Sequence, residues 1–189
     1  MKQKNKGWIA AFCLAAALIG LMCALSMSLA SLPMNSISED PAAISGLMRG
    51  TVDYRLPQGY GQMYFGLPFL LKGVMIGPRE NQNGFSIVIV QSPFLNASNG
   101  EAFVRGLHSR YKSNTMDVNW RAAGTTPVLI NGRFVSMTVN EGNNSSGCAY
   151  RSLSVELKGA SGPVILAVTG LANQWDAGAF DALVRSIKY

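Results

Sequence analysis

The chain has 189 residues, 48% of them hydrophobic and 14% charged, with a formal net charge of +6. One histidine and three cysteines make a metal site improbable, because such sites gather several imidazole, thiolate or carboxylate ligands. Three of the sixteen basic residues are Lys2, Lys4 and Lys6. The other thirteen face ten acids and are scattered, densest at Arg105, Arg110 and Lys112, so no nucleic-acid stripe forms.

The three lysines precede an uncharged, proline-free apolar run from Trp8 to Ala30. As a helix those 23 residues would extend roughly 34 Å, enough for a hydrocarbon core of ~30 Å. Positive charge stays inside, so the expected topology is N-terminus in the cytoplasm and residues 31–189 outside, with residues 8–30 in contact with membrane lipid. The length favours an uncleaved anchor. Ser28-Leu29-Ala30 would serve as a cleavage site in the alternative reading, a signal segment that releases a secreted or periplasmic protein. Cys13 and Cys23 follow Phe12 and Met22, where a lipoprotein cut needs small residues.

Residues 31–38 read as a linker. Asp40 as N-cap and Pro41 at the first helical position predict a short helix that ends at Gly50. Val52, Tyr54 and Leu56 alternate and predict a strand broken at Pro57 and Gly59. Met63–Phe65 and Phe69–Ile76 predict one bent strand or two short ones, and Gly77–Gly84 a polar turn. Phe85–Val90 is apolar on both faces and reads as a central strand.

Ser98 and Glu101 have the spacing of a capping box and predict a helix with Phe103, Leu107 and Tyr111 as its buried stripe and Val104 and His108 beside it. Asn131-Gly132 between Pro127–Ile130 and Arg133–Val139 predicts a two-residue hairpin, with Val135, Met137 and Val139 on one face and Phe134 on the other. Leu153, Val155 and Leu157 alternate with polar residues in a further strand, Gly159–Gly162 turns, and Pro163 opens the last strand. A closing helix is expected from about Gln174, capped by Asn173, burying Ala179, Phe180, Leu183, Val184 and Ile187. The fold class is therefore α+β. An N-terminal transmembrane helix or signal segment (1–30) leads through a linker and short helix (31–50) to one extracytoplasmic domain (51–189). That domain is expected to hold an antiparallel sheet of about six or seven strands packed by two to three helices.

No motif identifies a catalytic, cofactor-binding or metal-binding residue, and no cofactor is expected. Gly59-Tyr-Gly61-Gln-Met-Tyr64 starts like a dinucleotide loop, but Tyr64 stands at the third glycine position. Cys148 is the sole cysteine after Ala30 and cannot form an intramolecular disulfide there; it is buried and inert, or else a reactive thiol that would pair with His108 in a small hydrolase or thiol enzyme. Tyr60, Tyr64, Phe65 and Phe69 make the richest aromatic stretch and, with the 141–148 loop, are the candidate binding face.

Leu56-Pro-Gln-Gly-Tyr60, Gly159-Ala-Ser-Gly-Pro163 and the Trp175-Asp176 to Ser186-Ile187 helix resemble a bacterial exported family of unknown function. The element order of 51–189 is similar to the Mog1/PsbP-like α/β/α sandwich. That resemblance implies a non-enzymatic binding or assembly module; the expected partner is a protein in the envelope, and the scattered charges imply no nucleic acid. It carries over no catalytic residue.

Overall fold

A computed structural model describes residues 36–79, 85–111 and 117–188. The expected transmembrane segment lies outside them, as does most of the 77–84 turn. Among the described residues no helix is long and apolar enough to cross a membrane.

The described elements run β1 (Ser36–Ser38), α1 (Pro41–Leu47), β2 (Tyr60–Leu67), β3 (Leu71–Pro78), β4 (Phe85–Gln91), α2 (Ala97–Tyr111), β5 (Asn119–Ile130), β6 (Arg133–Asn143), β7 (Ala149–Gly159), β8 (Gly162–Leu171), a 3₁₀ turn (Ala172–Gln174) and α3 (Ala177–Ser186). Three helices thus pack on one antiparallel sheet, seven full strands plus the three-residue β1, in the order β1-β2-β3-β4-β8-β7-β6-β5. The sheet is two meanders, β1–β4 and β5–β8, joined where β4 pairs β8 from Phe85↔Gly170 to Gln91↔Val164. All seven residues of β4 are buried, as its two-sided apolar pattern requires.

Period-2 alternation assigns the faces. Phe85, Ile87, Ile89, Leu166, Val168 and Leu153 share a core with Ile44 of α1 and Phe180, Leu183 and Val184 of α3. The intervening residues of β4 face α2, whose Phe103, Val104, Leu107 and His108 are all buried. Gly100 sets how closely α2 approaches β8: a Cβ there would sit 2.5 Å from Ile165 Cγ1.

Asp40 caps α1, accepting from the amides of Ala42 at 3.1 Å and Ala43 at 3.4 Å. The hairpin at Asn131-Gly132 is present, both residues at positive φ (50° and 73°) as a type I′ turn needs. Met137 is buried, Val135 and Val139 half-buried, and Phe134 exposed. The buried face of α3 is the expected one.

Other expectations are corrected. Ser36–Ser38, read as linker, pair with β2. Residues 52–56 form no strand, because among the described residues their only ladder partner is the bridge from Asp53 to Lys188. Phe69 lies in the β2–β3 turn, and the aromatic-rich stretch forms two strands of eight residues each. The box that opens α2 is Asn96 with Asn99: Asn96 Oδ1 accepts from the Asn99 amide at 3.2 Å, and Asn99 Oδ1 from the Asn96 amide at 2.8 Å. Glu101 instead binds Arg105 at 2.6 Å and the Asn140 side chain. Helix α3 starts three residues later than expected, on Asp176, whose Oδ1 accepts from the Ala179 amide at 2.8 Å.

Gly100→Ala tests the α2–β8 approach. Overpacking costs about 1–3 kcal/mol and helix propensity returns at most about 1. We expect a net loss of about 1 kcal/mol in urea unfolding; a raised midpoint would contradict the packing described.

Candidate functional site

The four candidate aromatics do not form one surface. Tyr60 and Tyr64 are two pleat periods apart and point into the α1/α3 core, at 7% and 6% exposure. Phe65, one residue out of phase, is fully buried on the other face. The Tyr60 hydroxyl donates to Asp176 Oδ2 at 2.8 Å, and its ring meets Phe85 edge-on at 6.3 Å. Trp175 meets Phe85 in the same way at 5.2 Å. These rings hold the end of β2 to the start of α3. Phe69 alone of the four stands in solvent, at 101% exposure.

Phe69 sits in a turn closed by the Leu70 amide donating to Leu67 O at 3.2 Å, and its φ is 63°. A bulky side chain in the left-handed region costs roughly 1–2 kcal/mol. At the same end of the sheet, Leu70 and Phe94 are 41% and 46% exposed. A hollow of about 260 Å³ joins the β2–β3 turn to the chain leaving β4, lined by Pro68, Phe69, Leu70, Lys72, Pro93 and Ser161. Gln91 also lines it and is fixed from behind: Thr51 Oγ1 donates to Gln91 Oε1 at 3.1 Å, and Gln91 Nε2 donates to Gly162 O at 3.2 Å. Lys72 Nζ donates to Arg49 O at 3.0 Å, beside it.

Cys148 lies exposed in the turn between β6 and β7, where its amide donates to Asn144 Oδ1 at 2.8 Å. Of the two readings open for this thiol, burial is the one the structure does not bear out. His108 is 1% exposed under α2, its Nδ1 2.9 Å from Ser86 Oγ on β4. The Cys148–His108 pair is therefore not assembled: one group is in solvent and the other is sealed in a helix–sheet interface. The Ser86–His108 contact was not legible in the sequence, since nothing local links residues 22 apart, although both lie on faces turned toward each other. A second, polar hollow beside Cys148 is lined by Asp117, Asn119, Arg121 and residues 142–145. There Asp117 accepts from the Ser145 amide at 3.0 Å and from its hydroxyl, which lowers the Asp117 carboxyl below the ordinary range. Among the described residues no cluster of His, Cys, Asp and Glu could hold a metal ion.

Two predictions follow from this geometry. Phe69→Gly removes the left-handed penalty, and the greater freedom of glycine in the unfolded chain offsets part of the gain. Since Phe69 buries nothing, we expect unfolding to become harder by about 0.5–1 kcal/mol; a loss of stability would show that the ring packs. The second concerns alkaline pH. Burial raises the phenols of Tyr54, Tyr60 and Tyr150, with Asp176 adding to the shift at Tyr60. Each holds its proton more tightly folded than unfolded, so stability is flat below the ordinary tyrosine value of about 10 and falls as pH rises beyond it. Absorbance titration should show a group of phenolates appearing late, together with unfolding; complete ionisation near pH 10 with the fold intact would refute it.

No protein-family model matches the chain and no curated protein matches it.

Proposed function

We propose that this chain is a membrane-anchored, extracytoplasmic, non-enzymatic binding or assembly module of a bacterial envelope. The lysine-flanked run from Trp8 to Ala30 supports the anchor and its orientation. Helices on both faces of an antiparallel sheet support the likeness to the Mog1/PsbP-like sandwich. The groups that nucleophilic catalysis would use are dispersed, Cys148 at a turn and His108 in the interior.

The observation that carries the reading is the free side of the last meander. Among the described residues, strand β5 has a strand neighbour on one side only, over twelve residues. At its end Leu129 pairs across to Phe134, and both point into solvent at 41% and 78% exposure. Pro127 and the bulge at Ala122/Gly124 interrupt the edge, which guards it against indiscriminate pairing. The stretch beyond them keeps an apolar pair beside open backbone, a surface suited to a protein partner that adds a strand or covers the ring.

The test is crosslinking in cells of the tagged full-length protein, then detergent extraction and mass spectrometry. We expect a reproducible stoichiometric partner that Phe134→Ser loses while its unfolding curve is unchanged. Recovery of the protein alone, or a partner indifferent to Phe134→Ser, would contradict the reading.

A further inference from the structure

We propose that the hollow over the start of β2 and the end of β3 binds a short zwitterionic peptide, of dipeptide length and with apolar side chains. The inference goes beyond the reading above. Its surface is neither the β5 edge nor the anchor, and it stands or falls without them.

The floor is the first ground. On the face of the sheet turned toward α2, Gly61 stands opposite Gly77 and Met63 opposite Met75. Ser86 of β4 closes the inner end, its Oγ 2.9 Å from His108 Nδ1. A hollow of about 400 Å³ opens over these residues, with Glu39 and Arg79 among its walls. Small-molecule sites usually measure about 300–1,000 Å³. The two glycines have no cause within the domain. Neither is among the glycines at positive φ, and a Cβ on either would come no nearer than 3.5 Å to another atom, an ordinary contact. Glycine weakens a strand, and inside one it often marks the close approach of a ligand. The pair leaves bare backbone where side chains would otherwise fill the hollow.

The charges are the second. The Arg79 stem lies over Gly61, and its Nε donates to Tyr60 O at 3.3 Å. Among the described residues neither Arg79 nor Glu39 belongs to an ion pair, with each other or with a third group. The guanidinium is therefore held by its stem and keeps two terminal nitrogens for a carboxylate, which its planar fork suits. Ser38 pairs with Tyr64, so Glu39 leaves β1 at the level of Met63. A cation and a carboxylate lining one hollow complement a ligand with the reverse charges at its ends: carboxylate on Arg79, ammonium on Glu39.

Spacing is the third. Gly61, under the Arg79 stem, and Met63, level with Glu39, are two residues or about 7 Å apart along β2. An extended dipeptide covers about 7 Å, and a single amino acid half of that. Met63 and Met75 are unbranched and polarizable, so they can follow apolar side chains of differing shape.

The test is isothermal titration calorimetry of the full chain in nanodiscs, with empty nanodiscs as the blank. The probes are leucyl-leucine, its N-acetyl derivative, which lacks the ammonium, and its C-terminal amide, which lacks the carboxylate. We expect leucyl-leucine to bind at least tenfold more tightly than either derivative. Arg79→Gln should reduce its affinity to that of the amide, and Glu39→Gln to that of the N-acetyl form. Gly61→Val, which fills the floor, should abolish binding with the unfolding midpoint at or above the parent's. Absence of leucyl-leucine binding, or equal binding to Gly61→Val, overturns the inference and leaves the β5 partner and the anchor untouched. A derivative that binds as tightly as the dipeptide overturns the zwitterionic assignment, as does affinity unchanged by Arg79→Gln or Glu39→Gln. The probe comparison needs no variant, so it decides even where a substitution unfolds the chain.

Discussion

The pairing of β4 with β8 is the constraint on which the domain depends. It is the single seam between the two meanders in the described sheet, with seven register pairs and no side chain exposed on β4. Both faces of that seam are covered, by α1 and α3 on one side and α2 on the other. Because α2 connects β4 to β5 at the far edge, the chain must cross three strands before it turns back to close the seam. Such non-local pairing carries a loop-closure cost before any contact rewards it. The continuous Val, Ile and Leu content of β4 and β8 offsets that cost by burial on both faces.

Polar chemistry inside the domain is spent on holding this arrangement. Ser86 meets His108 between β4 and α2, Thr169 donates to Ser152 across β8 and β7, and Tyr60 ties β2 to the cap of α3 through Asp176. Among the described residues no buried side-chain nitrogen or oxygen lacks a partner. An unmet buried group costs about 1–3 kcal/mol, so satisfied pairs such as Ser86–His108 are what a stable interior requires. Exposed large apolar side chains among the described residues include Phe69 and Leu70 in the β2–β3 turn and the Leu129–Phe134 pair beside the β5–β6 turn.

Elements governed by local rules were legible in the sequence. Asn131-Gly132 set its hairpin, the two-sided apolar run of Phe85–Val90 set the central strand, and Asp40-Pro41 set the first helix. Elements decided by a distant neighbour were not. Ser36–Ser38 is too short to show a period and is a strand because β2 offers an edge. Val52, Tyr54 and Leu56 have the period but lack a neighbouring strand to complete a ladder. The capping box of α2 shifted because Asn96 and Asn99 satisfy each other, while Glu101 turns to Arg105 and Asn140. The candidate site failed as a cluster for a reason present in the sequence all along. Tyr64 and Phe65 are adjacent on a strand and must face opposite ways, and both faces are buried there. Phe69 was legible as an aromatic but not as an exposed one, because its place in the turn depends on the β2–β3 register.

The proposed function requires a domain held outside the cytoplasmic membrane by an uncleaved segment. Protease added to intact spheroplasts, with separate tags at the two termini, tests that directly. The account predicts that the C-terminal tag and the domain are digested from outside, while the N-terminal tag survives, protected and membrane-bound, with residues 1–30 still attached. A C-terminal tag that survives until lysis, or a mature protein that begins at Ser31, would contradict it.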